Sequence, residues 1–561
     1  MNRIPGSLRL LPLLISLGLT ACGGGGGGGS GPAAGGPDTT APVVTAVSPE
    51  DKAVGVTGTS AINVTFSEKM KGDTINSTTM TVTANGQPVT GSVTYAGQTA
   101  TFTPDNGLVG AGTTYTVTVK GSVQDLAGNA LGQDYTWTFT TPAAASTGIA
   151  RDGAGNLYVV GYTNGNLGGT VANKGLKDLF VTKYDPSGAP LWSAPLLIGT
   201  AADDEGAGVT VGADGNVYVA GTTNSALTGT LAPGAAAAGA NDIFAAKVNA
   251  ATGAVTWIQQ LGSAADDVAT GIVADANGVY VSGYTAGVLG SNVTASAGGT
   301  DAVLVKLDPA TGTKGAVTQF GSDKDDRGAA VAVDAAGGVY MTGAVGNFIV
   351  GVVDGAHGDN NADIFLAKYD TNLTRTWIHL RGTGENDLAT GIAVDGNSVY
   401  IAGHTNCQLD GNINATGVGN AYDVFLVKYD LDGNWTWTKE TGGTGSEFTT
   451  GVAVDGSGGI YVSGYTDGDL FGTVNAGSSD LFVMKFDANP STAPDGTADT
   501  PAWSVQKGTV ASELAGGITV NSGTIYQSAA SSSAATLTGA KLIGDGVFFM
   551  RYNTTDGNVI P

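Results

Sequence analysis

Between residues 41 and 141, apolar and polar positions alternate in short runs at 43–47, 61–66, 79–83, 90–95, 98–103, 113–119 and 135–141, with Gly, Asn and Pro between them. In Tyr135-Thr136-Trp137-Thr138-Phe139 the three rings fall on one face and the threonines on the other. A period of two is what a half-buried strand requires, and about seven such runs in about 100 residues predict a β-sandwich.

From residue 148 to 561 the pattern repeats at long range. A tyrosine in the second strand of each unit recurs at Tyr158, Tyr218, Tyr280, Tyr340, Tyr400, Tyr461 and Tyr526, at spacings of 60 to 65 residues. Each unit opens with a strand such as Gly391-Ile392-Ala393-Val394-Asp395 and continues with Val399-Tyr400-Ile401-Ala402-Gly403. A variable loop follows, then a strand such as Asp363-Ile364-Phe365-Leu366-Ala367-Lys368-Tyr369-Asp370, and last a Trp-bearing strand such as 377–381. The third strand is apolar on both faces (Leu179, Phe180, Val181), as when neighbouring sheets cover both sides. Four short strands per unit without helical periodicity predict propeller blades, and seven units predict a seven-bladed ring. A parallel β-helix is the runner-up, but its coils are much shorter than these units. The last unit reaches Pro561 without a Trp strand. Either the ring closes through its inner three strands or an outer strand is shared between the termini.

The residues of both regions carry family resemblances. Ser48-Pro49-Glu50-Asp51, the run from Asn63 to Met70 (Asn-Val-Thr-Phe-Ser-Glu-Lys-Met), Asp125-Leu126-Ala127-Gly128-Asn129 and the closing run from Tyr135 to Phe139 together resemble the bacterial Ig-like domain of S-layer and other surface proteins. That resemblance covers 41–141 and implies a spacer or stalk. The repeats resemble the SBBP-type β-propeller repeat of bacterial surface proteins, in six copies well and in the seventh partly. The expected fold class is therefore all-β, an Ig-like β-sandwich (41–141) followed by a seven-bladed β-propeller (148–561).

At the start of the chain, Arg3 and Arg9 precede or open an apolar run at 10–19. Ten residues are too few for the roughly 20 that span a bilayer, so 1–21 reads as an export signal. Leu19-Thr20-Ala21-Cys22 resembles the lipobox of bacterial lipoproteins, which implies diacylglyceryl transfer to Cys22 and cleavage before it. Seven glycines at 23–29 open a Gly-rich tether at 22–40, a flexible leash by composition. By the enterobacterial sorting rule, Gly23 in place of Asp favours the outer membrane. The expected address is exported and lipid-anchored, at the outer membrane or cell surface, with the membrane as a partner through that anchor.

Composition narrows the classes further. Glycine supplies 91 of 561 residues, more than twice the usual level of about 7%. Charged residues are only 13%, yet the net charge is −24. Hydrophobic residues at 42% and a mean hydropathy of +0.09 suffice for a large core and exclude a disordered acidic chain. The charge also excludes non-specific nucleic-acid binding, which needs cations to displace counterions. With Cys22 lipidated, Cys407 has no partner for an intrachain disulfide. It reads as a small, partly buried hydrophobe, the alternative being a reactive thiol.

Candidate chemistry lies where the second-to-third-strand loops and the blade links emerge on one face. The links carry an acid at one register, Asp204, Asp267, Asp326, Asp387, Glu447 and Glu513, often doubled by Asp203, Asp266 or Asp325. These acids read first as solvated turn residues capping amides. Calcium held by carboxylates and carbonyls comes second, and is the one cofactor entertained. General acid/base catalysis comes last, because similar acids in six blades lack the contrasting environments it needs. Glu68 and Asp125 pose the same choice between a calcium pair and a solvated edge. Tyr162, Tyr284, His404 and Tyr465 start the long loops, where a ring can stack on a sugar or simply pack. The third-strand cations Lys183, Lys247, Lys306, Lys368, Lys428, Lys485 and Arg551 suggest structural ion pairs or snorkelling. Asp430, Asp432 and Asn434 mimic an EF-hand opening without its twelfth-position Glu. His357, His379 and His404 lack metal-ligand spacing. Residues 249–257 faintly resemble the docking repeat of quinoprotein dehydrogenases, in one blade only. The leading expectation is binding or adhesion without catalysis, the partner being a polysaccharide or envelope protein. A polysaccharide hydrolase or lyase using loop-face acids, and a purely structural envelope component, are the alternatives.

Overall fold

The computed structural model describes residues 38–561 except 54–55, 57–60, 85, 106–111, 142–143, 168–171, 291–297, 350–351, 353–360, 412–420, 489–499, 522 and 533–535. Residues 1–21, expected to be an export signal, Cys22 and nearly all of the expected tether lie outside the described residues.

The first module is a sandwich of two four-stranded sheets. One runs Val44–Ser48, Ile62–Phe66, Thr99–Pro104, Gly91–Ala96, and the other Gln87–Pro88, Met80–Ala84, Thr114–Val119, Tyr135–Thr140. All seven expected strands form, and Gln87–Pro88 adds a short edge. The alternation works as read, since Ile62, Val64 and Phe66 are buried while Asn63 and Thr65 are not. Val64, Phe102, Tyr115, Val117, Trp137 and Phe139 fill the space between the sheets. Trp137 satisfies its indole N–H on the carbonyl of Pro49 at 3.1 Å, so the large ring is buried without an orphan donor.

After it come seven four-stranded antiparallel sheets, and consecutive innermost strands pack against one another around the ring. The innermost strand of the last blade, Glu513–Asn521, packs against that of the first, Ala144–Arg151. Arg151 donates its Nε–H to Val520 across this seam at 3.0 Å. The ring thus closes without a strand exchanged between termini. In the last blade the strand order is Glu513–Asn521, Thr524–Ser531, Val547–Asn553, Lys541–Gly544. The missing Trp strand is replaced by Lys541–Gly544, which belongs to the loop before the third strand, and the other end of that third strand pairs through Tyr552 and Val559.

Burial explains the strand composition. The second and third strands are covered by neighbouring blades on both faces, as in Leu157–Thr163 and Asp242–Val248. Outermost strands such as Arg375–Arg381 are partly exposed and mix polar with apolar residues. The second-strand glycine is required by close approach. A Cβ on Gly161 would lie 1.8 Å from the carbonyl of Ala145, and one on Gly403 would lie 2.1 Å from that of Leu388, beside a bulge in the innermost strand.

Candidate functional site

The recurring cations tie each blade to the next. Lys247 Nζ, in the third strand of blade two, donates to the carbonyl of Pro309 in blade three at 2.9 Å. Lys368 donates to Leu431 at 2.8 Å, and Lys428 to Ala488 at 3.0 Å. Lys183, Lys306 and Lys485 do the same to Ala250, Thr371 and Thr554. Each ammonium also sits 5.0–5.8 Å from the ring of the recurring tyrosine beside it, as with Lys368 on Tyr340 at 5.0 Å and Lys485 on Tyr461 at 5.8 Å. The expected ion pair with the neighbouring acid is not the main contact. Asp185, Asp308, Asp370 and Asp430 instead cap their own turns, and salt bridges form only from Lys247 to Asp214 and Lys368 to Asp334 among the described members of this set.

The link acids are not solvated. Asp204, Asp267, Asp326, Asp387, Glu447 and Glu513 are all 0% exposed. Each does cap an amide, four residues upstream: Thr200 N–H to Asp204 at 2.6 Å, Thr383 to Asp387 at 2.6 Å, Gly443 to Glu447 at 2.9 Å, Thr509 to Glu513 at 2.7 Å, and likewise Ser263 and Ser322 to Asp267 and Asp326. Their own N–H groups bond back to the preceding blade, as Asp387 to Ala362 and Glu447 to Tyr422, both at 2.7 Å. The carboxylates therefore face inward as clips, not outward as open calcium ligands.

Beside each clip is a second buried acid, at the first position of the third strand and not among the expected site residues: Asp178, Asp242, Asp301, Asp363, Asp423 and Asp480. Its recurrence at the first position of the third strand was the available signal. The link glycine fits between them. A Cβ on Gly321 would meet Asp301 Oδ1 at 2.3 Å and Asp326 Oδ2 at 2.8 Å, and one on Gly442 would meet Asp423 at 2.0 Å and Glu447 at 2.5 Å. Burial, then the charge of the partner acid, pushes Asp326 up to about 6 and Glu447 up to about 8.

Of the loop-face aromatics, His404 and Tyr465 join one cluster. His404 meets Tyr422 edge-on at 5.1 Å and Phe448 at 5.4 Å, and Phe448 stacks on Tyr465 at 5.3 Å. The four rings cross from blade five to blade six. His404 is buried, and that burial lowers its pKa to about 4. Tyr422, Phe448 and Tyr465 remain partly open to solvent. Tyr162 and Tyr284 stand elsewhere, under Lys177 at 4.8 Å and Arg327 at 5.0 Å.

In the Ig-like module Asp125 is buried, not a solvated edge. Asp38, Glu68 and Asp125 bring carboxylate oxygens within 4.8 Å of one another, and this is the one such group of three among the described residues. Asn129 donates its backbone and side-chain N–H groups to Asp125 at 2.8 and 2.7 Å. Oxygen-only ligands suit a hard cation such as calcium, although three carboxylates supply only part of its shell. Cys407 is half-buried. Among the described residues no helix is long and apolar enough to cross a membrane.

The fold and these sites define an all-β protein with an Ig-like module and a propeller of clipped blades. Residues 38–141 match the bacterial Ig-like domain family, and residues 145–168 and 436–472 match the β-propeller repeat family. The Regulatory protein FlaEY of Caulobacter vibrioides is 29% identical over 199 residues, 33% of this chain and 20% of that protein. The chain thus spans about a fifth of the length of that relative. Among solved structures, an ulvan lyase has a TM-score of 0.43 at 10% identity, covering 75% of this chain and 96% of that one. A puromycin hydrolase has a TM-score of 0.39 at 11% identity, covering 74% and 53%. The N-terminal part of the S-layer protein SbsC has a TM-score of 0.15 at 19% identity, covering 40% and 44%. These are loose likenesses.

Proposed function

We propose that the chain is a lipid-anchored binding or adhesion protein of a bacterial cell envelope or surface. Cys22 carries the lipid, the Gly-rich tether and the Ig-like module act as a spacer, and the loop face of the propeller holds a polysaccharide or envelope protein without turning it over. The observation that carries this reading is the cluster of His404, Tyr422, Phe448 and Tyr465. Residues that build the ring recur from blade to blade, whereas among the described residues this joined set of four rings does not, and three of its members keep solvent-facing surface. Partly exposed aromatics provide apolar area at small entropic cost, which suits sugar rings and protein side chains alike. Burial of the link acids in near-identical clips weighs against hydrolysis, which needs an acid and a base in contrasting surroundings facing a substrate.

The test has two arms. Proteinase treatment of intact cells should release propeller fragments, and full protection would remove the surface reading. The N-terminal peptide should carry a diacylglyceryl group on Cys22, and its absence would remove the anchor.

A further inference from the structure

Five residues that the repeat does not call for converge on the outer rim between blades four and five. Where Arg381 stands, before the link glycine, other blades have Leu261, Phe320, Thr441 and Lys507; where His379 stands, they have Gln259, Thr318, Lys439 and Val505. Trp435 is a second tryptophan two residues ahead of the recurring Trp437. Cys407 and Asp410 come from the adjoining loop. Together they line a groove of about 790 Å³, within the range of small-molecule sites.

The groove is built, not incidental. Arg381 lies 5.0 Å from the ring of Trp435 and 5.8 Å from that of Tyr429. Its Nε–H donates to the Tyr429 hydroxyl at 3.0 Å, and its Nη1 pairs with Asp410. Asp410 also accepts from Thr438, whose hydroxyl in turn accepts the Trp435 indole N–H at 3.0 Å. Asp410 itself lies in the left-handed region at φ 56°, which Asp enters more readily than most residues, and these bonds fix its carboxylate beside Arg381. Trp435 nonetheless remains 48% exposed.

We propose that this groove binds a neutral saccharide unit, deepening the reading of the propeller as a binding module, on which it rests. The guanidinium and carboxylate cancel in charge, so the groove offers donors and acceptors side by side without a net field. That suits hydroxyl groups better than phosphate, ammonium or carboxylate. Phosphate is further disfavoured by the net charge of −24. The exposed face of Trp435 supplies the apolar platform on which the C–H face of a pyranose lies, and its orientation is locked from behind by Arg381.

The test is an array of neutral and uronate-containing oligosaccharides probed with the full-length protein and with Trp435→Ala, whose exposed ring can be removed without touching the blade cores. Unchanged melting of the variant checks the fold, and Trp435→Phe should restore part of the binding. The expected result is retention of neutral glycans by the wild type and at least a tenfold loss in Trp435→Ala. Binding confined to uronates, unchanged binding by Trp435→Ala, or no glycan bound at all overturns the proposal. Unchanged glycan binding in Trp435→Ala with loss in Tyr465→Ala would overturn the groove alone and leave the loop-face reading standing.

Discussion

Arg551 in the last blade donates to the carbonyl of Pro186 in the first at 3.3 Å, repeating across the seam the bond that Lys247 makes to Pro309 within the ring. The recurring cation is thus a latch, and the ring closes with the same device that joins its members. Tyr526 reaches the same Pro186 carbonyl at 3.4 Å, as Tyr218 reaches Pro309 at 3.2 Å.

Replacing Lys247 by Met should cost more than replacing Arg551 by Met. Lys247 has an 11% exposed side chain and an ion pair to Asp214 that would be left behind, whereas the Arg551 bond is exposed. A loss of about 2 kcal/mol for Lys247→Met and under about 1 kcal/mol for Arg551→Met is expected from denaturant unfolding. Equal losses would mean the latch does not depend on burial.

Gly199→Ala should cost clearly more than a glycine-to-alanine change at an open turn. Its Cβ would lie 1.7 Å from Asp178 Oδ1, and Asp178 is buried, so the carboxylate has to leave its place to admit the methyl group. Gly396, at φ +56° with open space around it, should cost only about 1 kcal/mol as Ala. If the clash with the carboxylate is the cause, Gly199→Ala combined with Asp178→Ala should recover part of the loss, which a double-mutant cycle reads directly.

The link acids predict a loss of stability toward alkaline pH. Glu447 titrates at about 8 in the folded protein against 4.5 for the free side chain, so the folded state keeps its proton where the unfolded state has released it. Its contribution is full below 4.5 and is lost as the pH rises through 8. Asp326 acts the same way between 3.8 and about 6. The melting temperature should fall by a few degrees from pH 5 to pH 8.5, and Glu447→Gln should flatten the upper part of that slope. A profile identical in wild type and variant would remove Glu447 as its source.

Partner binding through the loop-face aromatics should not depend on His404 protonation at ordinary pH. Burial holds its pKa at about 4, below the usual 6.5, so the ring is neutral above about pH 5. Its stabilising effect is instead lost as pH falls from 6.5 through 4. Binding measured by calorimetry is expected to be flat from pH 6 to 8 and to drop at least tenfold in Phe448→Ala, which removes the ring that touches His404, Tyr422 and Tyr465. A steep fall in affinity between pH 6 and 8 would assign the histidine a direct role.

The two modules, their strands and the number of blades were legible from residue order, because period-two alternation and a repeat of about 60 residues are local properties of a chain. The recurring lysine was visible too, but its partner was not: the acid next to it in sequence caps a turn, while the carbonyl it meets lies some 60 residues further on, as Pro309 does from Lys247. The substitute outer strand of the last blade was hidden for another reason: Lys541–Gly544 is close in sequence to the strand it pairs with, but it bears no tryptophan and precedes that strand where the other blades' outer strands follow it.

Sequence by itself determined which residues repeat, and therefore which ones build the ring. Only the tertiary structure decided what they face. Asp204 and its counterparts looked like surface turn acids in a chain of net charge −24, yet blade packing buries them against a second acid. The groove holding Arg381, Asp410 and Trp435 exists because adjacent blades juxtapose side chains from separate repeats, and hydrogen bonding and burial depend on distance in space, which residue order leaves open.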